Sequence, residues 1–159
     1  MITLLYTKND YLAAEMAMKI QAIGSGQGQK FYTVPKHYGR NEEQVYMNLS
    51  KSDTVLLIAY DNHSIDEQTA DELKYLESKN KKTVAIVPND FTGLSDSKAL
   101  DIYRYKRTDQ FSLLNAIQEY LGHYKETKKQ SDDSTNVFAA IMMLVVGLLL
   151  IAFIKDDSK

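Results

Sequence analysis

Two short polar runs carry many of the side chains here that could do chemistry. Tyr6-Thr7-Lys8-Asn9-Asp10 follows an apolar stretch near the start, and Asp61-Asn62-His63-Ser64 follows a second one. Close behind stand the carboxylates Asp66, Glu67, Asp71 and Glu72. A third run, Pro88-Asn89-Asp90-Phe91, ends another apolar stretch. His63 is the only histidine in these runs, and an imidazole beside carboxylates can give or take a proton near neutral pH. The plainer alternative for His63 is a solvent-facing loop side chain. His37, His63 and His123 lack the spacing of metal ligands. The chain has no cysteine, which excludes disulfides, thiol catalysis and cysteine-held zinc. Gly24-Ser25-Gly26-Gln27-Gly28 has the composition of a phosphate loop but the wrong place. A phosphate cradle follows a strand and opens a helix. This cluster follows a helical stretch, so it is expected to break that helix as a C-terminal turn.

Periodicity says what must position these groups. Residues 2–7 read as a strand, and Asn9 or Asp10 can cap the helix that follows, where Leu12, Ala13, Met16, Ala17 and Ile20 recur at helical spacing. Residues 30–34 form a second strand before Pro35, and 42–51 a polar helix with Val45 and Leu49 inward. Residues 53–60, DTVLLIAY, are the most hydrophobic strand and are expected at the centre of a sheet covered on both faces. A helix over 65–79 turns Ala70, Leu73 and Leu76 inward, 83–87 is a fourth strand, 101–106 an edge strand, and 111–124 an amphipathic helix. Five βα units in this order predict an α/β domain with a five-stranded parallel sheet and helices on both faces. Ligands of such sheets bind at the carboxyl ends of the strands, where strand order reverses. The polar runs fall there.

Three segments carry a family likeness. They are LLYTKNDYLAAEMA at the start, SKSDTVLLIAY, and SIDEQTADELKYLESKNKKTVAIV over 64–87. Together they resemble the Toll/interleukin-1 receptor (TIR) domain, particularly its bacterial branch. Tyr6, Thr7, Lys8, Asn9 and Asp10 match the strand end and loop, Lys51-Ser52-Asp53 the approach to the central strand, and Glu72-Leu73 the pair on the third helix. The likeness implies a flavodoxin-like three-layer sandwich over residues 1–124. It also implies two activities: assembly through loops, or cleavage or cyclisation of NAD as substrate, with no resident cofactor or metal. In the enzymatic branch the essential carboxylate maps onto Glu72, where it would stabilise an oxocarbenium-like centre. Tyr6, Thr7, Lys8, His63 and Ser64 would line the same pocket. Where that family usually has a serine and an aromatic residue before the glutamate, this chain has Asp66 and Gln68, and the loop at 36–40 matches the family's assembly loop only at Gly39. The alternative for Glu72 is an exposed helix residue paired with Lys79 or a neighbouring lysine. Receiver domains of response regulators share the five βα units, and Asp61 and Lys106 sit suggestively. Their acid pair for magnesium is missing, leaving Asp10.

Residues 137–154, VFAAIMMLVVGLLLIAFI, contain no charge over 18 positions. As a helix they span roughly 27 Å, close to the hydrocarbon thickness of a bilayer. A single transmembrane helix is expected there, after a polar linker at 125–136 and before a short tail at 155–159; a buried core helix is the alternative. The first residues lack the basic start and cleavage site of a secretory signal. Lys125, Lys128 and Lys129 favour an inward flank. The expected location is therefore the cell membrane, with the N-terminal domain cytoplasmic. A net charge of −2 argues against nucleic acid as a partner. The expected partners are the membrane, further copies of the chain, and a protein or nucleotide. By the bacterial likeness, the setting is stress or antiviral defence.

Overall fold

The computed structural model describes residues 1–26, 30–109, 112 and 115. Five strands, β1 (Ile2–Tyr6), β2 (Phe31–Thr33), β3 (Thr54–Ile58), β4 (Thr83–Pro88) and β5 (Leu100–Tyr105), alternate with three helices, α1 (Tyr11–Gly26), α2 (Glu42–Ser50) and α3 (Glu67–Ser78). The sheet order is β2-β1-β3-β4-β5, and every pair is parallel. The apolar β3 lies in the middle and β5 at an edge, as their composition predicts. Apart from residues 112 and 115, the sequence-expected helix at 111–124, the linker and the apolar run at 137–154 lie outside the described residues. Among the described residues no helix is long and apolar enough to cross a membrane.

Caps fix where the helices begin. Asp10 starts α1 by accepting the Ala13 amide at 3.0 Å. Asn41 starts α2 through the Gln44 amide, and Asp66 starts α3 through the Thr69 amide at 3.1 Å. The last cap moves the start of the third helix from the expected residue 65 to Glu67. α1 runs to Gly26, inside the glycine cluster, and residues 27–29 lie outside the described residues. Buried Ala13, Met16, Ala17 and Ile20 hold the helix down, and a glycine inside it costs only about 1 kcal/mol.

One face of the sheet presents Leu5, Val55, Leu57, Ala59, Ala85 and Val87 to a core closed by Val45 and Leu49 of α2, Leu76 of α3, and Phe91. Strand alternation puts Leu4, Leu56, Ile58, Val84 and Ile86 on the other face, all of them buried. Five complete βα units would place a helix in every crossover. Residues 89–99 join β4 to β5 without one. Their Phe91 takes a core position instead, and the Thr92 amide reaches the His63 carbonyl at 2.8 Å. Gly93 makes the turn at φ +88°, where a Cβ would sit 2.5 Å from Ile65 Cγ2. Arg104 holds the start of this connection by donating to the carbonyls of Pro88, Asn89 and Phe91.

Candidate functional site

At the carboxyl ends of the strands the polar runs sort into three groups, linked to one another through Lys8 and Asn62. The first surrounds Glu72, whose side chain has no exposed area. Glu72 lies on the stripe of α3 that also buries Thr69 and Leu76. The connection from β2 to α2 brings two cations to it. Lys36 Nζ donates to Glu72 Oε2 and to Thr69 Oγ1, and Arg40 donates to Glu72 Oε1 at 2.6 Å. Arg40 also forks onto both oxygens of Glu42 at 2.8 and 2.7 Å and donates to the Pro35 carbonyl at 2.9 Å. Gly39, at φ +76°, turns the chain so that both cations face α3. Glu72 is therefore neither exposed nor paired with Lys79, whose ammonium lies over the Tyr75 ring.

Burial pulls the Lys36 ammonium below its ordinary value, and the attraction of Glu72 does not cancel this. Burial works the same way on Arg40, but the Glu42 and Glu72 carboxylates outweigh it and hold the guanidinium above its ordinary value. Tyr6 stands beside the same carboxylate. Its phenol is pushed up mainly by burial and also by the charge of Glu72, against a hydrogen bond from the Lys36 amide.

Asp66 supports the group from below. It accepts the Thr69 hydroxyl at 2.7 Å and the Lys8 amide at 2.8 Å. Burial alone would raise its carboxyl. Those hydrogen bonds and the nearby Lys36 charge outweigh burial and hold it below 3.8. A carboxyl lowered by folding contributes stability above its unfolded value and loses it as pH falls through the folded value. Asp66→Asn should therefore flatten the acid limb of a stability–pH curve below about pH 4. Urea melts at several acidic pH values would check this, and a limb as steep as in the wild type would refute it.

The second group fills the point where strand order reverses. The Asp10 carboxylate, almost fully buried, accepts the amide of Tyr60 at 2.7 Å and those of Asp61 and Asn62 at 3.2 and 3.4 Å. The Asn62 side chain donates to the Thr7 hydroxyl at 2.7 Å and the Lys8 carbonyl at 2.8 Å. Thr7 is buried, whereas the Lys8 side chain is exposed. The third group is a surface cluster. His63 Nδ1 lies 2.6 Å from Asp90, and Arg107 joins Asp90 at 3.1 Å and the Asn62 carbonyl at 2.5 Å. Ser64 bridges to Thr92 in the β4–β5 connection.

The expected single pocket is thus divided. Tyr6 shares the Glu72 group, Thr7 and Lys8 belong to the Asn62 clasp, and His63 and Ser64 bond to the β4–β5 connection. A concavity of about 330 Å³ opens between α2 and α3, lined by Arg40, Glu42, Tyr46, Glu67, Gln68 and Asp71. Its aromatic wall is Tyr46 rather than a residue of α3. Glu72 does not line it, because Arg40 stands between. In this arrangement both Glu72 oxygens are engaged, so the carboxylate acts as a clasp on the β2–α2 connection. Contact with a substrate would require Lys36 or Arg40 to let go. Sequence reasoning placed Asp90 at this edge without its partners, and it missed the roles of Lys36, Arg40 and Arg107. The signal for the first two was a charged residue on an inward stripe, which demands buried partners. No protein-family model matches the chain, and no curated protein or solved structure matches it.

Proposed function

We propose that this chain is a TIR-like interaction module that assembles with further copies at a membrane, using the β2–α2 connection as its contact loop. The observation that carries this reading is the contrast within residues 36–40. Lys36 and Arg40 are buried and fastened to Glu72, while Tyr38 between them is fully exposed. A loop with a fixed base loses little freedom on binding, and an exposed tyrosine at its tip is a favoured contact residue. The TIR resemblance puts the family's assembly loop at the same place in the chain, where Gly39 is the one matching residue, and the apolar run at 137–154 supports the membrane.

Tyr38→Ala should weaken self-association of the full chain by tenfold or more, about 1.4 kcal/mol or above. Sedimentation in detergent over a range of concentrations would measure it. An unchanged association constant would sink the contact-loop reading.

NAD cleavage is the second reading, favoured by the open concavity with Tyr46 beside the Glu72 group. It requires the clasp to open. Release of nicotinamide from NAD by concentrated wild-type protein would establish it, and no turnover at high local concentration would exclude it.

A further inference from the structure

Six lysines that are scattered along the chain are gathered by the parallel topology at one edge. Lys30 immediately precedes β2, Lys51 lies three residues before β3, Lys81 and Lys82 immediately precede β4, and Lys98 lies two residues before β5. Lys79, at the C-cap of α3, joins them. Because all five strands run the same way, these positions share the amino edge of the sheet, opposite the Glu72 group and the Tyr38 loop. All but Lys81 are exposed.

Part of this charge serves the fold. Lys51 and Lys79 cap helix C-termini, where a cation suits the negative end of the dipole. Lys81 donates to the Ser52 carbonyl, and Lys82 pairs with Asp101 at 3.3 Å. The other carboxylates nearby are Asp53, Glu77 and Asp96, with Asp53 held by the N-terminal ammonium. Six cations against four carboxylates leave the edge net positive on a chain whose net charge is −2.

We propose that this amino edge docks on an anionic lipid surface. The partner is chosen by charge and by reach. Clusters of four to eight lysines or arginines beside a membrane segment suit anionic headgroups. The linker at 125–136 is 12 residues long, and a chain of that length reaches at most about 40–43 Å. An apolar run at 137–154 that enters a bilayer therefore keeps the domain close to the headgroups; to that extent the proposal rests on the membrane reading above. Docked this way, the domain turns its carboxyl edge and Tyr38 away from the lipid, toward neighbouring copies.

The test uses the full chain in vesicles. It has no native cysteine, so a single label can be placed at Ser78→Cys on the amino edge or at His37→Cys on the opposite edge. With a headgroup quencher and about one-third phosphatidylserine, quenching at position 78 should exceed that at position 37 several-fold. The difference should vanish in pure phosphatidylcholine, in about 1 M salt, and in a variant with Lys30, Lys51, Lys79, Lys82 and Lys98 changed to Glu. The lipid and salt arms decide the matter even if that variant fails to fold. Equal quenching at the two sites, or no dependence on anionic lipid, would overturn the proposal. Duplex DNA that binds more tightly than the vesicles, through the same lysines, would overturn it in favour of nucleic acid. If alkaline extraction strips the chain from vesicles, the anchor reading fails alone. Salt-sensitive flotation on anionic but not neutral vesicles would then still support the lysine edge, and its absence would overturn it.

Discussion

Glu72→Gln should lower the thermal midpoint of the domain by more than about 10 °C. The side chain sits with no exposed area between Lys36 and Arg40, each with only a few per cent of its side chain exposed. Removing one partner from a buried ion pair leaves an uncompensated charge, a loss of about 3–5 kcal/mol. At roughly 4 °C or more per kcal/mol for a domain of this size, the shift exceeds 10 °C. Glutamine keeps the shape and one acceptor but removes the charge facing two cations. The loss should appear as faster unfolding and as looser protection of residues 35–41, since the clasp is what holds that connection to α3. Changing Lys36, Arg40 and Glu72 together to apolar residues of similar volume should recover much of the stability, because no buried charge remains. A single variant that melts within about 2 °C of wild type would show that the ion pairs carry no weight. The prediction also bears on the enzymatic reading. Loss of NAD turnover in Glu72→Gln identifies a catalytic carboxylate only if the variant is shown to be folded at the assay temperature.

Much of the sheet was legible because its signals are local. The run DTVLLIAY has no polar break, so β3 had to be covered on both faces. Asn9 and Asp10 precede an apolar helical stripe, so either could cap it, and Asp10 does. What escaped the sequence is long-range pairing. Glu72 looks like any carboxylate on a polar helix until Lys36 and Arg40, more than 30 positions away, are brought to it. Its place between Thr69 and Leu76 on the inward stripe was the available clue. The β4–β5 connection carried no helical signal either, since Asn89, Asp90, Gly93, Ser95, Asp96 and Ser97 are turn formers with no helical stripe. Its Phe91 joins the buried core without a helix.

Asp10→Gly should be nearly as damaging as the loss of Glu72, and for a reason that bears on ligand binding. One carboxylate oxygen caps α1 at Ala13, while the other receives three successive amides from Tyr60 to Asn62. Loss of the cap to glycine costs only a few tenths of a kcal/mol, but the buried Tyr60 amide left without an acceptor costs about 1–3 kcal/mol, and the amides of Asp61 and Asn62 add to it. A total near 3 kcal/mol should lower the thermal midpoint by roughly 10 °C or more. Asp10→Asn should recover only the cap, because its NH2 group would meet the N–H donors of β3. Successive backbone amides of this kind form an anion-binding concavity, and here the protein's own side chain occupies it. In parallel sheets this crevice is the usual place for a ligand. Millimolar formate should therefore restore part of the midpoint of Asp10→Gly and leave wild type unmoved. Hydrogen exchange at residues 60–62 should accelerate in the variant and slow again with formate. If exchange there is unchanged, the Asp10 contacts do not hold the end of β3. If formate has no effect, the concavity is not a preformed anion site, and Asp10 does not stand where an anion would otherwise bind.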